Sequence, residues 1–366
     1  MTTNEIRDAV REAAGARAPL RIAGRGTWLS AGRPVRASRT LSLSTLTGVV
    51  HYEPGDFTLT ARAGTTLAEL ANATLPHRQF LALDPFGDVD GTLGATVATS
   101  ASGPLAYAFG GPRDNVIGLE VVTGDGAIVR CGGRVVKNVA GFDLTRLFTG
   151  AWGTLGVITE VSVRLRALPQ VDETYAIVVD DRPERLRQLI ADLRVAPVAP
   201  LAMELISPCA PLRVAAPTLL VRLGGNETSV RAQRGVLATF GDAEPRSSDV
   251  WQILRGAEPS AAIVARLSTR PSRVAEVWTQ AREAVAGAEG ALLIASIGRG
   301  VVRCIVPEAA HDTARRLASC DATVIFERLP ADLWSELAPS PVSDRLSRGV
   351  KDRFDPSHVL NPGVLG

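Results

Sequence analysis

Three glycine-rich loops crowd the first 156 residues, and their lack of bulk is what could do chemistry. Asp90 to Gly103 reads DGTLGATVATSASG, in which short hydroxyl side chains are interleaved with glycine and alanine. Gly24-Arg25-Gly26-Thr27 precedes it, and a cluster from Gly150 to Gly156 follows. Where side chains are small the backbone approaches a ligand closely, and unshielded N–H groups and nearby hydroxyls can donate to phosphate oxygens. One such loop is weak evidence. Three in one stretch suggest a large phosphate-bearing cofactor gripped from several sides.

Each loop has a plainer reading beside the functional one. Gly24-Arg25-Gly26 starts like a dinucleotide-binding GxGxxG fingerprint, but its third glycine position is Leu29, and no helix pattern follows. What remains is a nest of backbone donors or an ordinary turn. Gly91 to Ala95 leads into the small-residue run Ala95 to Ser102, which close packing would also explain. Gly153-Thr154-Leu155-Gly156 stands directly before an alternating strand and would serve equally as a hairpin entry. Lys137, Asn138 and Asp143 cluster in RVVKNVAGFDLTRLF; a lysine there could offset the negative charge of a cofactor or phosphate, or lie solvated in a loop. Arg299, in SIGRGVVRC, is either a turn arginine or a partner for a substrate carboxylate.

The remaining reactive residues exclude several classes. Cys131, Cys209, Cys304 and Cys320 form no CxxC pair, and His51, His77, His311 and His358 show no ligand spacing, so no metal site and no iron–sulfur cluster is expected. Forty basic against 38 acidic side chains give a net charge of +2, without the basic excess of a nucleic-acid binder. The opening MTTNEIRDAVREAAGARAPL has no apolar block, and no run approaches the roughly 18 apolar residues of a membrane span. The expectation is a cytoplasmic protein without a transmembrane segment, with peripheral attachment at the inner membrane through partners left open.

The elements that must position these loops follow from periodicity. Asn4 to Ala14 reads as a helix capped by Thr3 or Asn4, with Ile6, Ala9, Val10 and Ala13 on one face. Leu20 to Ala23 is a strand entering the first loop. Phe57 to Ala63 alternates as a half-buried strand, and Thr65-Thr66 starts a helix that Pro76 stops. Val116 to Thr123 and Ala127 to Arg130 flank a hairpin turn at Gly124-Asp125-Gly126, Asp143 caps a short helix, and Val157 to Leu165 is a long strand. Beyond Pro169 the glycine loops stop. Strands and helices then alternate in two rounds, predicting an α+β unit with an antiparallel sheet and helices on one face. From Pro339 a short helix and an extended tail close the chain.

In this order the loops resemble the flavoprotein family of vanillyl-alcohol oxidase and p-cresol methylhydroxylase (PCMH). The matching elements are Ala23 to Thr27, the AGTTL turn at Ala63 to Leu67, Thr92 to Gly103, the paired strands Gly110 to Gly126, GAWGTLGVITE from Gly150 to Glu160, and the tail FDPSHVLNPG from Phe354 to Gly363. Within the family, VVKNVAGFDLTRLFTGAWGTLGVI is most like the glycolate oxidase and D-lactate dehydrogenase branch, and in particular its smaller FAD-binding subunits.

The resemblance implies an α+β fold: a two-part PCMH-type FAD-binding domain over residues 1–170, a cap domain over 171–338 with a mainly antiparallel sheet, and a tail over 339–366 returning toward the flavin domain. It implies FAD held by backbone groups at Gly24, Arg25, Gly26 and Thr27 and at Thr92, Leu93 and Gly94. Ser100, Ser102 and Gly103 would line the ring side, and Gly153, Thr154, Val157 and Ile158 the rest of the dinucleotide. No histidine stands where some relatives attach the flavin, so the FAD is expected to be noncovalent. Ala295 to Val302 reads ASIGRGVV, without the histidines of metal-assisted relatives, so the catalytic residues stay unassigned. The implied activity is oxidation of a small 2-hydroxy acid beside a catalytic FAD subunit and an iron–sulfur subunit. A non-catalytic flavin-bearing or structural subunit, and an independent FAD-dependent alcohol oxidase, are the rival readings.

Overall fold

The computed structural model describes residues 1–88, 90–133, 143–259, 261–338 and 344–365, so Lys137 and Asn138 lie outside the described residues. The chain forms two compact units. One comprises Met1–Gly103, Phe109–Leu168 and Ser340–Gly366, the other Pro104–Ala108 and Pro169–Pro339.

The first unit begins with helix Thr3–Ala16. Its cap is Thr2, one residue before the expected pair: the Thr2 side chain accepts from the Glu5 N–H while Glu5 reaches back, a reciprocal box that outcompetes Thr3. Ile6 and Val10 are fully buried, each contributing about 1.5–3 kcal/mol. Thr3 is instead used sideways. Its hydroxyl donates to Glu120 (2.9 Å), which also accepts from Thr159 (2.9 Å) and Arg130 (2.8 Å). Burial alone would raise the Glu120 pKa, but the hydrogen bonds from Thr159, Thr3 and Arg130 and the Arg130 charge outweigh it and hold the carboxyl below its ordinary range.

Among the described residues, a five-stranded antiparallel sheet runs in the order Val49–Glu53, Thr58–Arg62, Gly156–Arg164, Val116–Thr123, Ile128–Gly132. The Gly124–Gly126 turn joins the last pair, with Gly126 at φ +76°. Thr58–Arg62 is not half-buried as its alternation predicts: Thr58 and Thr60 are buried as well, and Thr60 bonds Ser162 at 2.8 Å. Threonine hydroxyls that pair across the sheet can sit on a covered face, which hydropathy alternation misreads. Phe57 has left the strand at φ +53° and ends a 3-10 turn. Thr66 caps helix Leu67–Thr74 with Glu69 in a second capping box, and Asp143 caps Leu144–Phe148.

The second unit contains an eight-stranded sheet among the described residues, and every strand pairing in it is antiparallel. Helices Pro183–Val195, Glu227–Leu237, Val274–Ala284 and His311–Ala318 bury their apolar stripes with alternate strand residues in one core around Trp278. Helix Asp249–Arg255 departs from the expected one-sided arrangement. Its Trp251 indole donates to Thr174 (2.8 Å), which points away from that core between Tyr175 and its neighbours. The opposite face also buries ions: Arg303 pairs with Glu327 at 2.6 Å and with Glu258. No described helix is long and apolar enough to cross a membrane.

Candidate cofactor site

Strand Leu20–Ala23 runs parallel to Arg39–Ser42 and delivers the first glycine loop. A Cβ on Gly24 would stand 2.4 Å from the Thr92 hydroxyl, so this loop and the second one touch through a missing side chain. Gly26 has φ +83°, where other residues are strained. Among the described residues, the N–H groups of Arg25, Gly26 and Thr27 donate to no other group in the chain. These loops border one cleft. Its lining carries Arg21 and Arg25 and, among the described residues, no acid.

The structure sorts the expected residues. Gly24, Arg25, Gly26, Thr27, Thr92, Gly94, Gly153 and Ile158 line the cleft together. Leu93, Thr154 and Val157 do not: Leu93 and Val157 are fully buried in the core, and the Thr154 hydroxyl donates to the Ala151 carbonyl at 2.6 Å. Ser100, Ser102 and Gly103 also lie off this lining. Ser100 ends helix Leu93–Thr99 in the left-handed conformation, and Gly103 sits where a Cβ would be 1.8 Å from the Asp84 carbonyl oxygen.

The second loop works differently from the donor role expected of it. The Leu93 N–H bonds the Thr65 carbonyl (2.9 Å) and the Gly94 N–H bonds the Ala63 carbonyl (2.8 Å), so both donors serve the fold. Gly94 is glycine because a Cβ would meet Ala63 Cβ at 2.6 Å and Ala63 O at 2.9 Å. This loop shapes the cleft wall; the first loop holds the open donors.

Three residues that the loop argument overlooked complete the wall. Trp28 and Trp152 stack at 6.1 Å between centroids, 15° apart, and both border the cleft. Trp152 holds φ +54°, a strained value for a large side chain. Asn361 explains how it is kept: its Nδ2 donates to the Trp152 carbonyl (2.7 Å) while its Oδ1 accepts from the Ile22 N–H (2.7 Å). The Asn361 N–H also bonds the Leu20 carbonyl, and Leu20 pairs with Leu360. Further back, Lys351 donates to the carbonyls of Thr154 (2.7 Å) and Leu360 (3.2 Å) and to Asp355 (2.6 Å), which is fully buried. The tail thus ties the first and third loops. The signal was available: each tryptophan adjoins a glycine loop, and LNPG stood out as a motif.

A cleft with backbone donors, positive charge and close-packed glycines defines a nucleotide-cofactor protein, and comparison with known proteins makes the class specific. Residues 1–132 match the model of the FAD binding domain family, which supports FAD as the cofactor. Its fold is that of the solved p-cresol methylhydroxylase, with a TM-score of 0.78 at 15% identity, covering 100% of this chain and 87% of that one. Among sequence relatives, the chain is similar to glycolate oxidase subunit GlcE of Escherichia coli (34% identity, 67% of this chain, 66% of that protein). It is also similar to subunit GlcD of Bacillus subtilis (31% identity, 60% of this chain, 45% of that protein). The matched stretch thus spans just under two thirds of the first relative and under half of the second.

Proposed function

We propose that this chain is the FAD-binding subunit of a glycolate oxidase-like complex that oxidises a small 2-hydroxy acid and passes electrons to an iron–sulfur partner. The observation that carries the reading is the cleft, where open N–H groups at Arg25 to Thr27 meet Arg21 and Arg25 without an opposing acid. When bound, FAD supplies a two-electron acceptor for the hydrogen on the substrate α-carbon. The chain's own residues do the rest. The first loop donates to the pyrophosphate, the two arginines offset its charge, and the stacked tryptophans exclude water from the wall. The cleft lining holds no histidine or cysteine among the described residues, which favours noncovalent attachment.

A second reading, a flavin-bearing subunit without its own turnover, is favoured by ASIGRGVV at Ala295 to Val302. Turnover of glycolate and D-lactate with dichlorophenolindophenol tests both. The isolated chain is expected near background, and the chain co-expressed with a catalytic FAD subunit and an iron–sulfur subunit is expected to be active. Robust turnover by the isolated chain overturns the need for partners. No turnover in either preparation overturns hydroxy-acid oxidation. If the complex keeps full activity when Gly26→Val empties this chain of flavin, the non-catalytic reading stands.

A further inference from the structure

The face of the second unit's sheet opposite its main core carries a polar group that the cofactor cleft does not use. Glu204 and Ser296 are direct partners across antiparallel strands Ala202–Ile206 and Leu292–Ser296. Their Cβ atoms therefore stand about 4.5–5.5 Å apart on one face. Both are more than nine-tenths buried, Glu204 at 2% and Ser296 at 6% exposure. Among the described residues, the Ser296 hydroxyl has no hydrogen-bond partner. Leaving such a group unmade costs about 1–3 kcal/mol, and native proteins do so rarely and for a reason.

Tyr107 completes the group. Its ring lies against the α-carbon of Gly298, where a Cβ would be 2.3 Å from Cε2 and 2.9 Å from Cζ. Residue 298 must be glycine for the ring to occupy this place. Burial first, and then the charge of Glu204, pushes the Tyr107 phenol up, so it is a neutral donor. Tyr107 reaches the second unit on the excursion Pro104–Ala108, and the chain returns to the first unit at Phe109. Three distant segments thus bring a carboxylate, a hydroxyl and a phenol together, and one of them is unsatisfied.

We propose that Glu204, Ser296 and Tyr107 form the binding site for the alcohol group of a small hydroxylated substrate, the 2-hydroxy acid of the reading above, on which this choice of substrate rests. Ser296 and Tyr107 donate hydrogen bonds to the substrate oxygen, and the Glu204 carboxylate accepts a hydrogen bond from the substrate hydroxyl.

The FAD-loaded chain tests this by calorimetric titration with glycolate, D-lactate and their deoxy analogues acetate and propionate. A site that reads the hydroxyl loses it selectively. Ser296→Ala and Tyr107→Phe are expected to raise the dissociation constants for glycolate and D-lactate about tenfold or more, a typical cost of one lost buried hydrogen bond, with those for acetate and propionate unchanged. Glu204→Gln replaces a charged acceptor by a weaker neutral one and is expected to raise the dissociation constants for glycolate and D-lactate while leaving those for acetate and propionate unchanged. Unchanged flavin content and melting temperature certify the fold of each variant. If both Ser296→Ala and Tyr107→Phe bind the hydroxy acids like wild type, the site is overturned while hydroxy-acid oxidation stands. If wild type binds neither acid and its complex oxidises neither, both ideas fall together.

Discussion

Replacing Asn361 with alanine tests whether the tail holds the cofactor cleft together. The substitution removes two side-chain hydrogen bonds of 2.7 Å each and leaves the Ile22 N–H and the Trp152 carbonyl without them. Each orphaned group costs about 1–3 kcal/mol. Asn361 also sits at φ +43°, where alanine pays roughly 1–2 kcal/mol. The total is about 3–8 kcal/mol, a large share of the roughly 5–15 kcal/mol that keeps a typical domain folded. If only ~1.4 kcal/mol of it enters cofactor binding, through loss of order at Trp152 and the first loop, the FAD dissociation constant rises tenfold. Urea unfolding of the apo chain gives the stability term, and quenching of tryptophan fluorescence during FAD titration gives the binding term. Asn361→Gly separates the causes, because it removes the same bonds while tolerating the backbone conformation. Alanine should be the worse of the two by about 1 kcal/mol. An alanine variant within ~0.5 kcal/mol of wild type, with unchanged FAD affinity, would refute the reasoning.

Three further outcomes are expected. Gly26→Val should lower FAD occupancy while leaving the second unit folded, because the backbone there is at φ +83°; Gly94→Val should instead destabilise the first unit through its clash with Ala63, and urea unfolding separates the two effects. Acid precipitation should release all yellow colour into the supernatant, and colour pelleting with the chain would mean a covalent link. Glu120 has its folded pKa depressed from 4.5, so its stabilisation is fully present above that value and is lost as pH falls through the lower folded value. Glu120→Gln should therefore flatten the acid side of the stability–pH curve, and identical acid limbs would remove Glu120 from the account.

The glycine loops were legible because cofactor approach and tight packing both demand small residues, and that shared demand is also why their roles could not be told apart. Gly24 and Gly26 belong to an open donor loop, whereas the Gly94 N–H is consumed by Ala63, a distinction set by a distant residue at the end of strand Thr58–Arg62 rather than by GTLG itself. The alternating strand Gly156–Arg164 and the helices of the second unit were visible from their periodicity. Strand Val49–Glu53 was missed because its side chains are mostly exposed at a sheet edge, whereas the short helix expected after Pro339 is present as Arg345–Phe354. The Glu204–Ser296 pairing depends on register across about ninety residues, which no local pattern encodes.

The tail's place beside Leu20 has a consequence for how the molecule is made. Ile22 and its partner Asn361 are 339 residues apart. At about 5–20 residues per second, a ribosome leaves the first strand waiting roughly 20–70 s for the side chain that braces it. Every residue of the second unit has been polymerised before the tail begins, so this later-encoded unit is free to close first. A nascent chain that stalls near its 340th residue would carry a first unit without the Asn361 brace, still open to chaperones and proteases.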